Sequence, residues 1–180
     1  QNTEARNEVY ERMPDVVNSY MQKINEITGK DYKPFNYYGD KYARKVIVAM
    51  GSVCDTVREV VQNEEGLGLL EVHLYRPFSS KYFFDVMPKT VSKIAVLDMT
   101  KEPGSAGEPL YLDVCAMYQE KDIKPLIVGG RYGLSGKDTD CSAIKSVFDF
   151  LDDKPFNGFT VGITDDLTNK SITVKPYNIK

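Results

Sequence analysis

The chain has 180 residues, which fits one domain, or one domain with a flanking arm. Hydrophobic residues make up 42% and charged residues 27%, a balance that excludes a disordered chain. The longest apolar run, VIVAMG, is far shorter than the roughly 20 residues of a membrane-spanning helix, and the net charge of −3, with its signs interspersed, excludes a basic nucleic-acid or membrane patch.

An amphipathic helix is predicted first. Apolar residues recur at helical steps of three and four: Val16, Val17, Tyr20, Ile24 and Ile27. Pro14 suits the first helical position and Gly29 a stop, so the helix is expected between them. The stretch DYKPFNYYGDKY that follows, with four tyrosines, is interpreted as an extended aromatic linker.

Strands and helices then alternate. Short apolar runs predict five strands, in KVIVAMG, LGLLEVHLY, SKIAVLDM, KPLIVGG and FTVGI, and helical patterns separate them. Alternation of this kind indicates right-handed βαβ units. We therefore predict an α/β fold of three layers: a mostly parallel five-stranded sheet with helices on both faces.

The segment GGRYGLSGKDT, residues 129–139, follows a strand and precedes a helix, the context of a phosphate-binding loop. Its glycine spacing is not that of a dinucleotide fingerprint, and Gly136-Lys137 lacks the following Ser or Thr of a P-loop. Asp140, where an N-cap belongs, would also repel phosphate. We favour a simple turn that leads the chain from the strand into the helix. Arg131 and Tyr132 would then be exposed and could contact a neighbouring surface.

Two weaker candidate sites precede it. Gly51 and Ser52 form a turn between a strand and a helix, where Ser52 could cap the helix or its N–H could hold an anion. His73 lies two residues from Glu71, so Glu71 could orient it on one strand face. A partly buried, hydrogen-bonded histidine is the favoured interpretation, because the chain offers no identifiable nucleophile.

Charged residues follow three of the predicted strands. Arg76, Lys101 and Arg131 should lie along the carboxyl rim of the sheet, where such folds keep functional groups. That rim could bind a phosphate or dock another domain.

Metal chemistry is not expected. Cys54, Cys115 and Cys141 are too widely spaced for a disulfide framework or a zinc site, and His73 is the single histidine. Free thiols are typical of a reducing cytoplasm, where we expect the protein to reside. The opening QNTEARNEVY lacks an initiator methionine, so we expect a piece of a longer protein.

Several strings together carry a resemblance. VIVAMGSVCDTVREVV, VHLYRPFSS, IAVLDMTKEPGSAGEPLYLDV, IVGGRYGLSGKD and FTVGITDDLTN, in this order, resemble the pyruvate:ferredoxin (flavodoxin) oxidoreductase family. The chain departs from the family's usual RTKEPG at Met99, and from its usual Thr-Pro after GRYGL. The resemblance implies core domain II, which is similar to the C-terminal domain of transketolase.

The resemblance also implies the chemistry of the intact enzyme: oxidative decarboxylation of pyruvate to acetyl-CoA, with electrons passed to ferredoxin or flavodoxin. It implies thiamine diphosphate, Mg²⁺, [4Fe–4S] clusters and coenzyme A in that enzyme, none of them held by this piece. No catalytic or metal-binding residue is assigned to this chain. Its partners would be other domains of the same polypeptide, in a parent homodimer.

Three segments are expected: residues 1–44, a helical arm and linker at the end of a preceding domain; residues 45–165, the core domain; and residues 166–180, an edge strand or linker. Two alternatives to a docking core domain stay open. One is an independent domain that binds phosphate or coenzyme A at Gly51, Ser52 or the charged rim. The other is a subunit-association module that uses the aromatic linker.

Overall fold

The computed structural model describes residues 3–122 and 124–179. Its helices are α1 (Asn7–Thr28), α2 (Val53–Asn63), α3 (Ser80–Val86), α4 (Pro109–Met117) and α5 (Cys141–Phe150). Its strands are β1 (Phe35–Gly39), β2 (Lys45–Ala49), β3 (Leu67–Val72), β4 (Lys93–Asp98), β5 (Leu126–Arg131) and β6 (Phe159–Thr160). Within these residues, no helix combines the length and hydropathy needed to cross a bilayer.

The strands form one sheet in the order β1-β3-β2-β4-β5-β6. Strands β3, β2, β4, β5 and β6 are parallel, which confirms the predicted α/β fold and is consistent with the C-terminal domain of transketolase. The number of strands was wrong, because the sheet has six. The additional strand is β1, which lies inside the segment interpreted as a linker. It pairs antiparallel with β3.

Strand β1 can pair with β3 because β3 has a glycine where a β1 side chain packs closely. Phe35 pairs with Val72 and Gly39 with Gly68 across the ladder. The ring of Tyr37 lies over Gly68, where any Cβ would collide with the tyrosine hydroxyl. The pairing joins residues about thirty positions apart, so the local aromatic pattern of the linker could not indicate it.

Strand alternation divides the core into two layers. On one face, Ile47 and Leu69 pack with α2 and α5 in a buried apolar cluster. On the other face, Val48 and Leu70 pack with Phe83 of α3 and with residues of α4. Adjacent strand residues point to opposite faces, so helices cover both sides of the sheet.

Helix α1 is longer than predicted, because it begins at Asn7 and contains Pro14 in its interior. Proline lacks the N–H that would bond to the preceding turn, and the Pro14 side chain is buried. The predicted stop is confirmed: Gly29 adopts the left-handed conformation and its N–H donates to the carbonyl of Asn25.

The predicted helix caps have different outcomes. Asp140 caps α5, and its Oδ1 accepts a hydrogen bond of 2.8 Å from the N–H of Ala143. Ser52 stands at the N-cap position of α2, but its side chain makes no capping bond. Ser52 has helical backbone angles, so its hydroxyl is not placed to cap the helix.

The C-terminal segment makes one parallel bridge, Thr160 to Ser171, where an edge strand was one of two expectations. Beyond it the chain follows α5: the N–H groups of Lys175 and Tyr177 donate to the hydroxyls of Ser146 and Ser142. Side chains of α5, rather than a strand, therefore hold this segment.

The amino ends of two strands are tied to the end of α5. Lys45 of β2 and Lys93 of β4 contact the two carboxylate oxygens of Asp152 at 2.8 and 2.6 Å. Hydrogen bonds from Lys45 and Lys93 hold the pKa of Asp152 below its usual value.

We expect Asp140→Ala to lower the free energy of unfolding by about 1 kcal/mol, because the N–H of Ala143 loses its acceptor. Urea unfolding followed by circular dichroism measures the change. Ser52→Ala is the matched control, since Ser52 makes no capping bond, and should change stability by less than about 0.5 kcal/mol. Equal losses in both variants would contradict the capping role of Asp140.

We expect Asp152→Asn to cost below about 1 kcal/mol near neutral pH, since the ion pair is partly exposed. A lowered folded-state pKa adds stability above the unfolded value near 4 and loses it as the pH falls through the folded value. The deficit should therefore shrink as the pH falls below about 4. Unfolding at neutral pH and near pH 3 tests this, with Asp153→Asn as control; a pH-independent deficit would refute it.

Candidate functional site

The carboxyl ends of β4, β5 and β6 meet at one edge of the sheet, as expected for parallel strands. Asp98 ends β4 and is only 3% exposed. Its two carboxylate oxygens accept hydrogen bonds of 3.1 and 3.2 Å from the N–H groups of Leu110 and Tyr111. Burial raises the pKa of Asp98, and the two N–H groups oppose that rise. Asp98 therefore fixes the first turn of α4 against the sheet.

The guanidinium of Arg131, at the end of β5, donates hydrogen bonds to two groups. Its Nε donates to Glu108 at 2.6 Å and its Nη1 donates to the carbonyl of Gly158 at 2.9 Å. The side chain of Glu108 is 2% exposed and that of Arg131 is 14% exposed. This buried ion pair joins β5 to the residue immediately before α4.

The expected exposure of Arg131 and Tyr132 was wrong. Tyr132 is 7% exposed and belongs to the buried cluster beside α2 and α5. Arg131 is engaged by Glu108 and Gly158. Neither side chain is therefore exposed to a neighbouring surface as predicted, because both make contacts inside the domain.

A cleft of about 350 Å³ opens at this edge, and we call it the carboxyl-edge cleft. It brings together two of the predicted rim residues, Lys101 and Arg131. The remaining lining comes from the last residue of β6 and from the loops after β5 and β6: Thr160, Leu134, Ser135, Ile163, Asp165, Asp166, Leu167, Thr168 and Lys170. Lys170 was missed, since nothing in its local sequence marks it as a site residue.

Arg76 lies apart from this cleft. Its Nη1 is 2.7 Å from a carboxylate oxygen of Asp113, and its guanidinium lies 4.0 Å from the centre of the Tyr75 ring. Strand β3, which precedes Arg76, is separated from β5 by β2 and β4. Arg76 therefore follows a strand of the same sheet but lies apart from Arg131, because two strands separate β3 from β5.

The glycine-rich segment 129–139 has packing and turning roles. A Cβ on Gly130 would overlap the ring of Phe159, so this glycine lets β6 approach β5. Gly133 and Gly136 have φ values of 64° and 72°, the positive angles expected of the predicted turn. Gly51 and Ser52, the other glycine turn, are exposed between β2 and α2, and neither residue lines the carboxyl-edge cleft.

His73 is hydrogen-bonded, as the favoured interpretation predicted. Its Nδ1 is 3.0 Å from the carbonyl of Lys33, and its Nε2 is 3.4 Å from Glu71. Glu71 also accepts a 2.8 Å bond from Arg58, whose guanidinium lies over Tyr38. The arrangement ties β3, α2 and the edge strand together.

The fold and this edge define a class: a three-layer α/β core whose polar groups gather at the carboxyl ends of a parallel sheet. Residues 43–144 match the family model for pyruvate:ferredoxin oxidoreductase core domain II. The chain belongs to that family.

Relatives match almost the whole chain. It is 53% identical to a pyruvate-flavodoxin oxidoreductase of Enterobacter agglomerans over 99% of its length. It is 46% identical to the pyruvate:ferredoxin oxidoreductase of Moorella thermoacetica over 98%, and 44% identical to a probable pyruvate-flavodoxin oxidoreductase of Escherichia coli over 96%. In each case it spans 16% of the relative's length.

We expect Arg131→Met to lower the free energy of unfolding by about 3 kcal/mol or more, because it leaves the Glu108 carboxylate buried without a partner. Replacing Glu108 as well, by Met, should recover part of that loss. Chemical denaturation of the two variants measures both effects.

Arg76→Met serves as the control for that pair. The side chains of Arg76 and its partner Asp113 are 57% and 25% exposed, against 14% and 2% for Arg131 and Glu108, so the loss of Arg76 should cost less than the loss of Arg131. A double variant at Arg131 and Glu108 that is less stable than Arg131→Met alone would contradict the argument from burial.

Proposed function

We propose that this chain is a docking core domain of a pyruvate:ferredoxin or pyruvate:flavodoxin oxidoreductase and carries no catalytic residue of its own. In the intact enzyme, pyruvate would be oxidatively decarboxylated to acetyl-CoA and the electrons passed to ferredoxin or flavodoxin. The observation that carries the proposal is the asymmetry of the matches. They cover nearly all of this chain but 16% of proteins named for that activity.

Helix α1 supports the docking role. Its large apolar side chains recur at steps of three, four and seven and stay exposed; we call them the α1 stripe: Val9, Val16, Tyr20, Ile24 and Ile27. Ile27 is 84% exposed and Tyr20 is 60% exposed. An amphipathic helix normally turns such a stripe towards a core, and this one turns it away from the core of its own domain.

Polar contacts attach α1 to the α/β core. The carboxylate of Asp15 accepts hydrogen bonds from Lys81 at 2.8 Å and from the hydroxyl of Tyr82 at 2.6 Å. The side chains of Asp15 and Lys81 are 59% and 63% exposed, so this pair contributes little to stability. These contacts hold the helix on one side and leave the α1 stripe free.

The occupant that we propose for the α1 stripe is the rest of the polypeptide, which is about five times longer than this chain if it matches the relatives. On this proposal residues 1–44 are the end of a preceding domain, residues 45–165 are the core domain and residues 166–180 lead onward. Part of the expected linker is strand β1, so its pairing with β3 would fix the arm to the sheet.

The cofactors of the intact enzyme would be thiamine diphosphate, Mg²⁺, [4Fe–4S] clusters and coenzyme A. The residues here do not fit a cluster, which takes four thiolates, since the chain has three cysteines and burial raises the pKa of Cys54 to about 12. Among the described residues, no group of three or more His, Cys, Asp or Glu side chains could hold a metal. We therefore propose that other domains bind the metals and clusters.

The remaining partners belong to the same proposal: ferredoxin or flavodoxin as electron acceptor, and a homodimeric parent in the cytoplasm. The three cysteines of the structure are free thiols, which supports a reducing compartment. A subunit-association role for the aromatic segment has less support, since part of that segment is occupied as a sheet strand.

Ile24→Lys tests the docking role. In the chain alone this change should alter stability by less than about 0.5 kcal/mol, because Ile24 is 46% exposed. In the intact polypeptide it should lower the unfolding temperature by several degrees, because a charge would be buried at the interface. Differential scanning calorimetry of both forms gives the comparison.

Glu26→Lys, an exposed site on the same helix but outside the α1 stripe, is the matched control and should affect neither form. Pyruvate-dependent reduction of flavodoxin by the intact polypeptide tests the parent activity. An Ile24→Lys enzyme as stable as the Glu26→Lys enzyme would refute the docking surface, and no pyruvate oxidation by the intact polypeptide would refute the family activity.

A further inference from the structure

The carboxyl-edge cleft contains an arginine that is held in place before any ligand arrives. The Nε and Nη1 atoms of Arg131 are fixed by Glu108 and Gly158, which leaves Nη2 without a hydrogen bond in the described parts of the chain. With 14% of its side chain exposed, Arg131 is largely removed from water. A fixed, desolvated guanidinium binds an oxyanion at lower entropic cost than a mobile one.

A second cation converges on the same point. A Cβ built on Gly158 would lie 3.7 Å from both Nη atoms of Arg131 and 3.9 Å from Nζ of Lys170. Because Gly158 has no side chain, it leaves the space beside the two cations open. Glu108 already balances the charge of Arg131, so Lys170 is the cation that adds positive charge beside this point and attracts an anion to it.

The charges of the lining leave two lysines available. In residues 3–122 and 124–179, neither Lys101 nor Lys170 forms an ion pair. Of the two acids in the lining, Asp166 accepts hydrogen bonds from Thr168 and from the N–H of Ser171.

Asp165, the second acid, opposes an anion and limits its affinity. The mixed charge therefore favours a ligand that combines one compact anionic group with neutral polar groups, rather than a large polyanion.

Hydroxyl groups supply partners for such neutral groups. Ser135 and Thr160 both line the cleft, and Ser135 is held at a φ of 56°, a left-handed conformation that serine seldom adopts. Backbone strain of this kind is concentrated at functional sites. The volume of about 350 Å³ lies in the range of small-molecule sites and suits a ligand the size of a sugar phosphate.

We propose that the carboxyl-edge cleft binds a small phosphorylated polyol, with its phosphate between Arg131 and Lys170 and its hydroxyl groups towards Ser135 and Thr160. Lys101 adds a further positive charge at the same cleft. The proposal is independent of the docking role, because the α1 stripe lies on another element.

Titration of the isotope-labelled chain with ribose 5-phosphate, followed by amide NMR, tests the site. Saturable shifts should map to Ser135, Thr160 and Lys170. Inorganic phosphate should bind at the same residues but more weakly, and ribose without phosphate should not bind measurably. Lys170→Met should weaken ribose 5-phosphate binding roughly tenfold, the usual effect of losing one charge-assisted hydrogen bond.

Lys89→Met is the matched control, because Lys89 is an exposed lysine just before β4, at the opposite edge of the sheet. It should leave the affinity for ribose 5-phosphate unchanged. Unchanged binding in Lys170→Met, equal weakening by Lys89→Met, or shifts that are linear in ligand and spread over the surface would overturn the proposal.

Discussion

Three buried charged side chains, Asp98, Glu108 and Arg131, organise the carboxyl edge of the sheet. Asp98 accepts hydrogen bonds from the first turn of α4, and Arg131 joins β5 to Glu108 at the start of the same helix. Each charge would be costly to bury alone, and each is satisfied by a donor or an opposite charge that another element supplies. The positions of α4 and β5 therefore depend on one another.

This mutual dependence extends to the outer strand. The second hydrogen bond of Arg131 goes to the carbonyl of Gly158, immediately before β6, and Gly130 makes room for the ring of Phe159. Two residues of β5 therefore position the short strand β6: Arg131 through its hydrogen bond, and Gly130 because it has no side chain. The cleft beside it is bounded by Arg131 at the end of β5, by Thr160 of β6 and by the loops that follow both strands.

The molecule presents two surfaces of different character. The carboxyl-edge cleft is polar, small and formed around a fixed guanidinium, whereas the α1 stripe is apolar and turned away from the core. Apolar exposure on one long helix favours permanent contact with another protein surface, and a concave polar cleft favours a small ligand. A domain within a larger polypeptide can use both, because they lie on separate elements.

Local patterns in the sequence indicated the five parallel strands, the stop of α1 at Gly29 and the cap at Asp140. Each of these is decided within a few residues: a run of buried β-branched side chains, a glycine with positive φ, a carboxylate two to three residues before free N–H groups. Tertiary contacts governed the rest. Strand β1 required Gly68, and the buried state of Arg131 required Glu108, twenty-three positions away.

The sequence by itself determined the α/β class, the family resemblance and the presence of charged residues at the strand ends, because these follow from periodicity and from short strings. Only the tertiary structure decided the strand order, which separates Arg76 from Arg131, and the approach of Lys170 to Gly158. The physical reason is that proximity across a sheet and between loops is set by packing of the whole core, and no local pattern encodes which distant side chains that packing brings together.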